Sequence, residues 1–170
     1  MSVLVKDPSM PFAVGQTVVH PHHGAAVVDD VESRELNGKL VEYLVLSAPD
    51  LDLTLRVPAE TCTDVGLREC IDRDQLDSVL GLLGEEGTPP TGHWSRRLKA
   101  NQQRLRSGEP ELVAQVLRDL TVKDEGKGLS PAERRLRDQA RRMLLGEIAA
   151  VIDGDVDQAG ALVDEALGLA

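Results

Sequence analysis

A chain of 170 residues with 41% hydrophobic content is long enough for one large domain or two small ones and can bury a core. It has one Phe, one Tyr and one Trp, so that core is aliphatic, a composition that favours helices. A net charge of -10 argues against a protein that finds nucleic acid through its own field. The chain also lacks a secretory n-region and any run near the roughly 18 apolar residues of a membrane span, so a cytoplasmic protein is expected.

Residues 1–9 carry no periodicity and read as a loose leader. From Phe12 the pattern is strand-like, through Val14 and Thr17-Val18-Val19, until Pro21 and Gly24 break it. Ala25–Val31 is a second apolar run. Asn37-Gly38 then supplies the positive φ angles of a tight hairpin before Val41–Leu46. After a turn at Pro49-Asp50, Leu53, Leu55 and Val57 alternate with Thr54 and Arg56, and Pro58 stops the strand. Short strands at this spacing predict a small, strongly bent sheet or barrel over residues 10–66. Arg56 points away from its apolar face and Arg34 lies beside the hairpin turn. Both are ordinary surface residues, or else anchors for an acidic partner surface.

From about Arg68 the period becomes helical, and residues 67–170 form an all-α domain of about five helices, making the whole an α+β protein. Asp72 or Asp74 caps a helix carrying Leu76, Val79, Leu80 and Leu83. Gly84–Gly92, with Pro89-Pro90, is a breaker-rich connection to a helix that begins at Trp94 and ends at Ser107-Gly108. Leu112, Val113, Val116, Leu117 and Leu120 mark the next helix, finished near Gly126-Lys127-Gly128. Ser130-Pro131-Ala132-Glu133 is a capping-box start for a helix with Leu136, Ala140, Met143, Leu144 and Ile148 on one stripe and Arg134, Arg137 and Arg141 on another. A last amphipathic helix carries Val156, Ala159, Leu162, Val163 and Ala166.

Charge is distributed unevenly along these elements. Residues 1–89 hold 6 Lys and Arg against 16 Asp and Glu; residues 90–146 hold 13 against 7; residues 147–170 hold none against 6. The basic island centres on His93–Arg106, which has five Lys and Arg and no acid. At 100° per residue Arg96, Lys99, Gln103 and Arg106 fall on one stripe and Trp94, Leu98 and Leu105 on the opposite one. A basic stripe is a solvated face or an anion-binding one. Trp94 shares the azimuth of core residues, which leaves it either core or contact.

Chemistry of other kinds is poorly supported. His20, His22 and His23 with Cys62 or Cys70 include metal-ligand types, but Pro21 separates the first two and no paired-ligand motif is present, so an ordinary polar turn is the simpler account. With no secretory signal the two cysteines are expected to be reduced thiols. No Gly-rich phosphate loop or nucleophile elbow occurs. The chain is not expected to be an enzyme, or to need a metal or cofactor.

Several of these segments resemble the CarD/CdnL family of bacterial RNA polymerase-binding transcription regulators, its actinobacterial members in particular. They are Phe12–Ala26, Glu42-Tyr43-Leu44-Val45-Leu46, Leu55–Glu60, Trp94-Ser95-Arg96-Arg97, Lys99-Ala100-Asn101 and Val116-Leu117-Arg118-Asp119-Leu120, spread from about Met10 to the C-terminus. The resemblance implies an N-terminal Tudor-like (SH3-like) barrel that binds the polymerase β subunit, similar to the polymerase-binding module of the transcription-repair coupling factor. It also implies a helical domain that touches promoter DNA at the upstream fork of the bubble. By position, Arg34 and Arg56 match β-contacting arginines. Trp94 matches a minor-groove wedge, and Arg96, Arg97, Lys99 and Arg134 match backbone contacts. The expected result is a monomeric stabiliser of the open complex without sequence specificity. The alternative is a polymerase-binding adaptor without DNA contact. His93 stands where the family has Asn, Leu98 where it has an aromatic, and the chain is more acidic than the family's usual members.

Overall fold

The computed structural model describes residues 10–48, 51–88 and 91–169. The leader at 1–9, the Pro49-Asp50 turn and the Pro89-Pro90 pair lie outside them. The chain divides into two compact units, the first ending at Cys70 and the second beginning at Ile71.

The first unit is an antiparallel sheet of five strands, β1 (Thr17–His20), β2 (Gly24–Leu36), β3 (Lys39–Ala48), β4 (Leu53–Pro58) and β5 (Arg68–Glu69), in the order β4-β3-β2-β1-β5. Asn37 and Gly38 have φ of 52° and 78°, so the β2–β3 hairpin closes through a two-residue turn whose twist suits its strands. The register shifts between Val28 and Asp30, a bulge that bends the long β2. Val18, Val28, Leu44, Leu46 and Val57 alternate onto one face and form the core with Met10, Phe12, Cys62 and Leu67. A short helix α1 (Cys62–Val65) ends at Gly66 in the left-handed region. A Cβ at Gly66 would lie 3.2 Å from the Pro21 ring, which holds this exit close to the β1–β2 turn.

The change to helix comes later than expected from the sequence. Arg68 and Glu69 pair with Val19 and Val18 of β1, so the first unit runs to Cys70, beyond the junction expected at residue 66. Two residues are too few to show alternation, so only the pairing reveals this strand.

The second unit contains α2 (Arg73–Gly84), α3 (Trp94–Ser107), α4 (Pro110–Gly126), α5 (Pro131–Val151) and α6 (Val156–Ala166). Asp72, Ser130 and Asp155 each accept from the third residue of the helix they open, and the Gln or Glu there reaches back to the cap amide. Of the two aspartates considered for α2, Asp72 is the cap. α4 packs against α2, α3 and α5, and its Val113, Val116, Leu117 and Leu120 sit in the core with Leu76, Val79, Leu83, Leu105, Leu136, Leu144, Ile148 and Val163. Glu147 of α5 is buried and accepts the Ile71 amide at 2.9 Å, which fastens the start of the unit to its longest helix.

Candidate functional site

On the outer face of the sheet, Glu32 and Arg34 are two residues apart on β2 and therefore share a side. Arg56 of β4 joins them. Its Nε donates to Glu32 Oε2 at 3.0 Å and its Nη2 to Oε1 at 3.4 Å, while Arg34 Nη2 donates to the same Oε2 at 3.1 Å. The hydrogen bond from Arg56 is the main reason the Glu32 carboxyl sits below its ordinary range, with Arg34 adding to it. Both guanidiniums remain well exposed, with side chains 58% and 43% accessible. The two arginines singled out in the sequence thus form one cluster, aligned by a carboxylate that the sequence did not mark as their partner.

In the helical unit, α3 starts at a histidine cap. His93 Nδ1 accepts the Ser95 amide at 3.4 Å and lies 3.0 Å from Ser95 Oγ. His93 Nδ1 takes the acceptor role that the side-chain oxygen of Asn has in a common cap, so the departure at this position preserves the helix start. Burial along the apolar stripe of α3 falls toward this end. Leu105 is 2% exposed, Leu98 packs partly against the core, and Trp94 is 45% exposed. The indole sits in the first turn of the helix, where its azimuth alone does not bury it.

The basic block separates into two groups. Arg118 pairs with Glu85 and Asp119, Lys123 with Glu133, Arg137 with Asp124 and Asp138, and Arg141 with Asp164. Among the described residues Arg96, Lys99, Arg104, Arg106 and Arg134 stand outside these pairs, and Arg97 donates to the Gly92 carbonyl. The basic stripe expected on α5 is therefore only partly available: Arg137 and Arg141 are tied to neighbouring helices and Arg134 is not. The stripe expected on α3 is also divided. Arg96, Arg97 and Arg104 line a cleft of about 500 Å³ between α3 and α4, and Lys99 and Arg106 do not.

Arg118 escaped the sequence reading. It is 5% exposed, and besides its acidic partners it donates to the Leu82 carbonyl at 3.3 Å and to Thr88 Oγ1 at 3.4 Å, while Asp119 accepts the Thr88 amide at 3.0 Å. This clasp binds the chain leaving α2 onto α4, on the path toward Trp94. The available signal was an Arg-Asp pair inside the otherwise apolar run Val116–Leu120. Glu133 was legible as a cap but not as an ion pair. Burial pushes its carboxyl up, and the Lys123 ammonium with the Ser130 amide and hydroxyl outweighs that, leaving it below the ordinary value.

The β1–β2 turn brings the three histidines together, with ring centroids 5.9 Å apart for His20 and His22 and 4.8 Å for His20 and His23. His20 is buried and its Nδ1 accepts the His22 amide at 3.1 Å. Among the described residues no group of three His, Cys, Asp or Glu side chains is placed to hold a metal ion. Cys62 and Cys70 are not joined in a disulfide. Cys62 donates to the Ala59 carbonyl at 3.2 Å, and burial raises its pKa. Among the described residues no helix is long and apolar enough to cross a membrane.

A sheet unit followed by a helical unit with unpaired cations is matched in both parts by known domains of transcription factors. Residues 12–71 match the CarD-like/TRCF RID domain and residues 78–164 the CarD C-terminal domain. The chain belongs to the CarD family. These domains are those of an RNA polymerase-interacting transcription factor rather than of an enzyme, and the RID family implies interaction with the polymerase β subunit. The chain is also similar to the "Putative transcription factor YdeB" of Bacillus subtilis (strain 168), at 24% identity over 140 residues that cover 82% of this chain and 92% of that protein.

Proposed function

We propose that the sheet unit, as a Tudor-like module, holds the protein on the polymerase β subunit through Arg34 and Arg56, and that the helical unit stabilises the promoter open complex at the upstream edge of the bubble. The exposed Trp94, at the start of a helix that also carries cations without a carboxylate partner among the described residues, is the observation that carries this reading. Arg96, Arg97, Lys99 and Arg134 position the unit through phosphates without reading bases. Trp94 enters a distorted step, where an apolar wedge trades stacking for contact with deformed DNA. An acidic protein gains little from long-range attraction to DNA. Tethering to polymerase supplies the effective concentration instead. Binding melted DNA better than closed DNA then shifts the opening equilibrium by that difference in affinity. One chain suffices for this scheme, which operates in the cytoplasm.

The test is in vitro transcription with purified polymerase, comparing wild type, Arg56→Glu and Trp94→Ala. The expected result is that Arg56→Glu abolishes the effect on product yield and Trp94→Ala diminishes it. Loss with Arg56→Glu and full retention with Trp94→Ala would instead leave a polymerase-bound adaptor that does not touch DNA, a reading that the net charge of -10 favours.

A further inference from the structure

We propose that the cleft between α3 and α4 is a seat for one phosphate group, gripped by Arg97 and Arg104, and that Arg104 is a further DNA-contacting residue. The source favoured for the phosphate is the DNA backbone, so this rests on the function proposed above. The cleft is lined by Arg96, Arg97 and Arg104 on the α3 side and by Arg118 and Lys123 on the α4 side. Its acidic members, Glu85, Asp119 and Glu133, are already paired with Arg118 and Lys123. The three guanidiniums of α3 therefore face a concave surface with no carboxylate of their own, where low-dielectric walls concentrate the positive field.

Arg97 and Arg104 are seven residues apart, two helical turns, so they stand on one face and reach the cleft from two levels. Guanidinium forks match phosphate oxygens two at a time, and the hydrogen bond from Arg97 to Gly92 fixes part of that geometry in advance. Arg104 also has a simpler role available, because it lies in the last turn of α3 and opposes the helix dipole there. Arg106 shares that turn and does not line the cleft, which makes it the control.

The experiment measures binding of the full chain to forked promoter DNA across a salt series, for wild type, Arg104→Gln, Arg104→Lys and Arg106→Gln. Far-UV circular dichroism and Tm establish that each variant is folded. Arg104→Gln is expected to weaken binding and to lower the slope of log K against log salt by about one, the signature of one lost phosphate contact. Arg104→Lys is expected to keep the slope, and Arg106→Gln to leave it unchanged. Equal losses at 104 and 106, or none at 104, would overturn the seat while wild-type binding keeps the DNA reading intact. A second arm records the Tm of wild type and Arg104→Gln with inorganic pyrophosphate. Should wild type fail to bind forked DNA, a Tm rise in wild type alone would keep the seat for a free phosphate compound, and no rise would overturn it.

Discussion

The two faces that carry exposed arginines are prepared differently. On the sheet, Arg34 and Arg56 are both held by the Glu32 carboxylate, so their guanidinium planes are oriented before any partner arrives. On α3, Arg96, Lys99, Arg104 and Arg106 have no carboxylate partner among the described residues, although acidic residues outnumber basic ones in the chain 29 to 19. Orientation in advance lowers the ordering cost of docking on a fixed protein surface. A phosphate backbone offers the same charge at every step and rewards cations that have not been neutralised. A third set, Arg118, Lys123, Arg137 and Arg141, pairs within the helical unit, and of these Arg118 is the buried one. Counting basic residues overstates an interface, and the pairing pattern corrects the count.

The distinction between internal and free arginines breaks most directly at Arg118. Arg118→Ala is expected to destabilise the helical unit by about 2 kcal/mol, since it leaves the partly buried Asp119 carboxylate and the Leu82 carbonyl without their donor, whereas Arg134→Ala should stay within about 0.5 kcal/mol. Urea denaturation checks both, and similar values for the two would erase the distinction.

On the sheet, Arg56→Glu is expected to weaken polymerase binding by about 2 kcal/mol, the scale of an interface hot spot, with Tm lowered only slightly, because the carboxylate it sets beside Glu32 is exposed to solvent. Glu32→Gln should weaken it less than Arg56→Glu does. Titration against immobilised polymerase orders the two, and an unimpaired Glu32→Gln protein would show that orientation in advance contributes nothing.

The smallest effects separate the units by pH. The pKa of His20 is lowered by burial, then by His23 and His22, so the native sheet resists a proton that the unfolded chain takes up below about 6.5. Its contribution is intact above that pH and declines as pH falls below it. The carboxyl of Glu133 is lowered from 4.5, so the helical unit keeps this contribution above 4.5 and loses it as pH falls further. Hydrogen exchange resolved by residue should therefore show the sheet unit loosening first on acidification. A His20→Gln variant should lose the earlier step and Lys123→Met should weaken the later one.

Much of this architecture was legible in the sequence because short-range chemistry decides it. Asn37-Gly38 closes a hairpin, Ser130 with Glu133 opens a helix, and the apolar spacing of α4 and α5 marks their buried faces. What stayed hidden depends on partners distant in sequence. Arg68 and Glu69 become a strand only beside β1, Arg137 and Arg141 are neutralised by Asp124 and Asp164, and Arg118 reaches back to Glu85. Trp94 shows the limit of a helical wheel. Azimuth places it with Leu98 and Leu105, while its position at the end of the helix leaves it accessible.

The lifetime of competitor-resistant open complexes, formed by purified polymerase with wild-type protein or with Trp94→Ala, tests the central claim most directly. A lifetime about tenfold shorter is expected for Trp94→Ala, equivalent to about 1.4 kcal/mol, with polymerase binding and Tm both retained. An unchanged lifetime for a folded, polymerase-bound variant would contradict it.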